Sequence, residues 1–141
     1  MTLLVDTSVW SLALRRDAAA VGPELGALAD SLRGDREVVT TGLVLQELLQ
    51  GFSGAKAQSQ ILEHFSALPF IQPDREDHVS AAAIRNTCRR AGVQLGTIDA
   101  VIAQLCIRHG LTLLTTDKDF VHAAKHCALQ IWPARASPGN P

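Results

Sequence analysis

At 141 residues, with 47% hydrophobic and 19% charged side chains, the chain suits one globular domain and is neither disordered nor fibrous in composition. Its formal net charge of -1 excludes a global positive field, so any nucleic-acid contact must come from local basic patches or bound metal. Apolar runs fall short of the roughly 20 residues that cross a bilayer, and the amino terminus lacks a signal peptide's basic segment and long apolar core, which together point to a cytoplasmic protein with no membrane partner.

The chain opens on Leu3-Leu4-Val5, an unbroken apolar run of the kind buried on both faces of a parallel sheet. It stops on Asp6, and a helix is expected within the next two residues, capped by Thr7 or Ser8. Groups at the carboxyl ends of strands in open α/β sheets face the crevice where ligands bind. Asp6 is therefore placed for chemistry, although taken alone it could equally be a helix cap.

Val9 to Leu14 reads as a short helix ending at Arg15-Arg16, and Gly22-Pro23 breaks the chain. A helix resumes at Glu24 with Leu25, Leu28, Ala29 and Leu32 on one face, and Val38-Val39-Thr40 is a short β-branched strand. Thr41 to Gly51 is again helical, with Thr40 or Thr41 as cap. Its apolar face of Leu43, Val44 and Leu48 also carries Glu47. A carboxylate set against the core is costly unless something pairs with it, so Glu47 looks positioned for a purpose.

Ala55 to Ala67 is amphipathic, with Ile61, Leu62 and Phe65 in its stripe, and Leu68 to Ile71 reads as an edge strand because Pro69 cannot donate to a ladder. Pro73-Asp74 opens a long helix to about Ala91, with Val79, Ala82, Ala83 and Thr87 inward. Arg85, Arg89 and Arg90 decorate it, either as a solvated face or as contacts to a phosphate backbone. After the Gly92–Gly96 loop, Thr97 is expected to cap a deeply packed helix whose apolar residues are Ile98, Val101, Ile102, Leu105 and Cys106. Asp99 lies in its first turn, where the helix dipole by itself would favour a negative charge.

Leu111 to Thr115 is the second strongly buried strand pattern, and it too runs into acids, Thr116-Asp117-Lys118-Asp119. A helix to about His126 and a last strand, Leu129 to Trp132, complete a domain over residues 1–133, followed by a frayed tail over 134–141. Cys88, Cys106 and Cys127 form no C-x-x-C pair and read as reduced thiols. His122 and His126 have i, i+4 spacing, but two ligands without a third are weak grounds for zinc, and an exposed face explains them better.

The alternation of strands and helices predicts a three-layer α/β fold with a short, mostly parallel sheet. Carboxyl ends of strands and amino ends of the following helices lie on one side of such a sheet, so Asp6, Glu47, Asp99 and Asp117 could meet in one crevice. Two like charges about 5 Å apart at an effective dielectric of about 20 repel by roughly 3 kcal/mol. Such a cluster must hold protons or a hard cation, and an all-oxygen donor set favours magnesium or manganese over zinc. Ser8, Thr115 and Thr116 could orient waters or ligands beside it.

Asp6-Thr7-Ser8-Val9-Trp10, Glu47 within Leu45-Gln46-Glu47-Leu48, Asp99 within Asp99-Ala100-Val101-Ile102-Ala103, and Thr115-Thr116-Asp117-Lys118-Asp119-Phe120 resemble the successive motifs of the PIN domain, and most closely its VapC-type toxins. The resemblance spans residues 2–132 and none of the acidic positions is replaced. It implies a magnesium- or manganese-dependent endoribonuclease that cuts structured RNA (tRNA, rRNA or mRNA) with a metal-activated water. Asp6, Glu47, Asp99 and Asp117 would be the catalytic and metal-holding acids, with Asp119 more peripheral and Thr7, Ser8 and Thr116 in support. It also implies a homodimer and a cognate antitoxin whose tail covers the acidic crevice. For the RNA path the candidates are Arg15, Arg16, Arg85, Arg89, Arg90 and Lys118.

A catalytically silent RNA- or protein-binding module of the same fold is the alternative, against which the intact acid set argues. A phosphoaspartate enzyme using Asp6 as nucleophile ranks lower, because the position two residues on is Ser8 rather than a second acid.

Overall fold

The computed structural model describes residues 1–15 and 22–133. Arg16 and the 134–141 tail lie outside the described residues. Four strands form one sheet in the order β2-β1-β3-β4, where β1 is Thr2–Val5, β2 Glu37–Val39, β3 Thr112–Leu114 and β4 Gln130–Ile131. Every pairing is parallel, with Leu4 opposite Val39 on one side and Leu113 on the other.

Leu3, Leu4 and Val5 point alternately to opposite faces of the sheet, yet each is fully buried, as are Leu113 and Leu114. Both faces are therefore covered, which gives the three-layer α/β arrangement. The cover consists of α1 (Thr7–Leu14), α2 (Pro23–Asp30), α3 (Gly42–Gly51), α4 (Ala55–Ser66), α5 (Arg75–Arg90), α6 (Thr97–His109) and α7 (Lys118–Ala123). A π-type turn over Ser31–Asp35 extends α2, with Gly34 at φ 106° reversing the chain into β2.

Several expectations need correction. Leu68 to Ile71 does not form a strand. It makes one parallel bridge, Thr40 with Phe70, whose backbone bonds run from Thr40 N to Pro69 O and from Ile71 N to Thr40 O. Pro69 supplies only its carbonyl there, as its missing N–H requires. The cap of α6 is Gly96, with Thr97 as its first residue, and the cap of α1 is Asp6. On α2 it is Ala27 and Leu28 that are buried, while Ala29 and Leu32 face outward. Leu62 and Ile98 are likewise exposed.

The inward face of α5 differs most. Val79, Ala82, Ala83 and Thr87 are exposed, whereas Asp77, Ala81 and Cys88 are buried. Asp77 and Asp74 form a reciprocal capping box, each side chain accepting the other's backbone N–H at 2.9 Å. Arg108 of α6 then reaches across to Asp77 with two hydrogen bonds, 2.8 Å from Nε and 2.6 Å from Nη2, and Gln104 adds a third at 3.2 Å. Burial alone would raise the Asp77 carboxyl, but these donors outweigh it and hold the group at about 2. The charged pair that locks α5 to α6 thus occupies a face that apolar periodicity would assign elsewhere.

Candidate functional site at the carboxyl edge of the sheet

Because β1 and β3 are neighbours in register, their carboxyl ends emerge together, and Asp6 N donates to Leu114 O at 2.9 Å. Asp6 is 5% exposed and stands at the cap position of α1, but its side chain makes no capping bond. Instead Oδ2 accepts from Ser8 Oγ at 2.7 Å and from Thr115 Oγ1 at 2.8 Å. Helix capping therefore does not account for this carboxylate. A lattice of short bonds fixes its partners in turn. Thr115 Oγ1 accepts from Asp117 N at 3.0 Å, and Ser8 Oγ accepts from Thr116 N at 3.1 Å.

Glu47 comes to the same edge from α3. The helix is capped by Thr41, whose hydroxyl accepts from Leu43 N, and buries Val44 and Leu48. Glu47 is half-buried beside that face, and Oε1 accepts from Thr7 Oγ1 at 3.0 Å. Asp117 caps α7 by accepting from Asp119 N at 2.9 Å, and Asp119 itself is exposed.

Asp99, in the first turn of α6, registers the convergence. Its carboxyl is pushed up from 3.8 to about 7, first by burial and then by the negative charges of Asp6, Asp117, Glu47 and Asp119. The acids that the sequence scatters over more than a hundred residues thus act on one point. Cys106, one turn from the end of the same helix, also feels Asp6; its thiol is pushed up to about 12, mainly by burial, and stays protonated.

Of the supporting residues, Thr7 and Ser8 contact acids through their hydroxyls, while Thr116 takes part through its backbone N–H and is otherwise exposed. The hydroxyl that touches Asp6 from just beyond β3 is that of Thr115, which strand propensity alone would explain. His122 and His126 are both exposed, and α7 ends at Ala123, so they do not share a helix. Among the described residues the cysteines are free, Cys88 and Cys106 being buried.

No group of three or more His, Cys, Asp or Glu side chains among the described residues is gathered tightly enough to hold a metal ion by itself. Bare carboxylates this close repel one another. The donor chemistry nevertheless fits a hard divalent ion. The acids and the hydroxyls that bond them are all oxygen donors, and the negative charges around Asp99 disfavour its own ionisation. Magnesium binds through one or two carboxylates and retains several waters, so it does not need a closed protein cage.

Of the arginines considered for a nucleic-acid path, Arg85 and Arg89 line a cleft of about 470 Å³ together with the Gly92–Gly96 loop, Asp99 and Asp119. Arg90 turns to Thr87 Oγ1 at 3.3 Å, and Arg15 is exposed at the end of α1. No helix among the described residues is long and apolar enough to cross a membrane.

Comparison with known proteins agrees with this fold. Residues 3–126 match the PIN domain. Ribonuclease VapC11 of Mycobacterium tuberculosis is 28% identical over 130 residues, covering 91% of this chain and 96% of that protein. Among solved structures, VapBC2 from Rickettsia felis, bound to a DNA fragment from its promoter, superposes with a TM-score of 0.70 at 21% identity over 93% of this chain and 97% of that one. VapC20 of Mycobacterium tuberculosis, described as a sarcin-ricin loop cleaving toxin, gives 0.66 at 19% identity over 90% and 98% of the two chains. With a family match across most of its length and a parallel sheet whose acidic edge gathers Asp6, Glu47, Asp99 and Asp117, this chain belongs to the PIN-domain family.

Proposed function

We propose that the chain is a metal-dependent endoribonuclease and the toxin of a VapBC-type toxin–antitoxin pair. The observation that carries this reading is the convergence on Asp99, whose carboxyl is raised by burial and by the charges of Asp6, Asp117, Glu47 and Asp119. The names of its relatives support the ribonuclease and toxin assignments. A magnesium or manganese ion bound there would polarise a phosphodiester and acidify a water.

The chain's own residues have distinct parts in this reading. Asp6, Asp99 and Asp117 would supply oxygens to the ion, and Glu47 would hold a second ion or orient the attacking water. Ser8 and Thr115 fix Asp6 by bonding one carboxylate oxygen, which keeps the group from turning. Thr7 does the same for Glu47. Asp99 must give up its proton for the pocket to reach full negative charge, so cation affinity rises as pH passes through about 7. Asp119 adds negative charge at the rim, and Thr116 supports through its backbone.

The RNA substrate, a homodimeric state, a cytoplasmic location and an antitoxin segment covering the acidic pocket complete the reading. The test is incubation of the protein with total RNA in manganese, mapping cut sites with Asp99→Ala as the blank. Cuts that vanish in EDTA and in the variant, and that persist on RNA carrying a 2′-deoxy sugar at the cut, support it. Loss of cutting on the deoxy-substituted RNA, with a cyclic phosphate product, overturns the mechanism. RNA binding without any cutting would instead favour a silent binding module.

A further inference from the structure

Asp99 and Asp119 line the same cleft as Arg85 and Arg89. Arg85 and Arg89 lie one turn apart on α5 and so share a face. Arg85 is half-buried, and its Nε donates to Leu95 O at 3.0 Å, which fixes the guanidinium while leaving its terminal nitrogens available. Arg89 Nη2 bonds Asn86 Oδ1 at 2.6 Å. Neither arginine has an acidic ion-pair partner among the described residues, whereas Arg33 and Arg108 both do. Two arginines without ion-pair partners among the described residues, in an open cleft that reaches the acid cluster, suit a phosphate polyanion. An acidic peptide fits less well, because only a nucleic-acid strand brings a phosphodiester to the neighbouring acids that the nuclease reading uses.

We propose that Arg85 and Arg89 form a backbone-phosphate subsite that holds the RNA strand on one side of the cut. This rests on the nuclease reading of the adjacent acids. The contacts are to phosphate rather than base, so they contribute affinity and register without sequence preference. Arg85 is the pre-oriented member, set by the loop carbonyl, and Arg89 is the outer member.

The test is equilibrium binding of a fluorescein-labelled single-stranded RNA in magnesium, across a potassium chloride series, using the uncut Asp99→Ala protein as parent. Adding Arg89→Gln should weaken binding about tenfold and flatten the plot of log affinity against log salt by about 0.7. Arg89→Lys should keep the slope. Arg33→Gln, at an exposed arginine already paired with Asp30, should change neither. Because Arg85 also braces the loop, Arg85→Lys tests its part without removing the charge, and it should weaken binding with the slope retained.

No RNA binding by the parent, or an unchanged slope in Arg89→Gln, overturns the subsite. So does an RNA affinity that is unmoved while antitoxin binding weakens, which would make the cleft a peptide site. Arginine-dependent binding by a wild-type protein that cuts no RNA would instead overturn the nuclease reading and leave the subsite standing.

Discussion

Thr7 and Glu47 are joined by a 3.0 Å hydrogen bond across 40 residues of chain, tying the first turn of α1 to the middle of α3. The bond is partly buried and holds a carboxylate at the edge of the acidic pocket. Replacing Thr7 by Val keeps the shape and removes the donor. The expected stability loss is about 1 kcal/mol, whereas the cleavage rate should fall between roughly ten- and a hundredfold as Glu47 loses its fixed position. Urea unfolding and single-turnover cleavage measure the two effects separately, and a rate loss no larger than the stability change would assign Thr7 a purely structural part.

The raised Asp99 carboxyl predicts how stability depends on pH without metal. An acid whose value lies near 7 when folded and 3.8 in its ordinary state binds more protons in the folded than in the unfolded chain between those values. Stability attributable to this group is therefore complete below about 4 and declines as pH rises to about 7. Asp99→Asn should flatten that decline in EDTA, as read by thermal melts over the pH series. Excess magnesium should counter it in the wild type, because the ion binds the deprotonated form.

Asp77 predicts the opposite slope at lower pH. Its folded carboxyl is held at about 2, so its contribution is present above about 4 and lost as pH falls toward about 2. Arg108→Met leaves Asp77 buried without its cation and should cost roughly 3 kcal/mol. Urea unfolding at neutral pH checks the loss. The folded fraction should retain its cleavage activity, since neither residue faces the acidic pocket.

The two parallel strands that carry the site were legible because they are rich in apolar residues: Leu3 to Val5 and Leu111 to Leu114 are buried on both faces, and acids follow each of them closely. The face of α5 was not legible. Alanines and a threonine discriminate poorly between inside and outside, and the residue that anchors the inner face is a charged one whose partner, Arg108, lies 31 residues away. Leu32, Leu62 and Ile98 show the same limit from the other side, as apolar residues at positions where packing leaves them exposed.

Within the site, residue type and spacing suggested the convergence of Asp6, Glu47, Asp99 and Asp117. The state of Asp99 could not be inferred that way, because it depends on burial and on four other carboxylates at once. Thr115 stood out only as one hydroxyl beside the acids, equally explained by its fitness for a strand, and the separation of Arg85 and Arg89 from Arg90 depends on where the α5–α6 loop turns.

The account stands on acids distant in sequence forming one pocket that a divalent cation neutralises. Manganese titration followed by thermal melting, on the wild type and on Asp6→Asn, Glu47→Gln, Asp99→Asn and Asp117→Asn, tests this most directly. The wild type should gain stability with metal, about 2.7 kcal/mol at a hundredfold excess over Kd. Each variant should remain folded with a smaller gain, and Asp6→Asn should be at least as stable as the wild type in EDTA. A wild-type melting temperature indifferent to manganese, or a full metal response surviving in all of the variants, would contradict it.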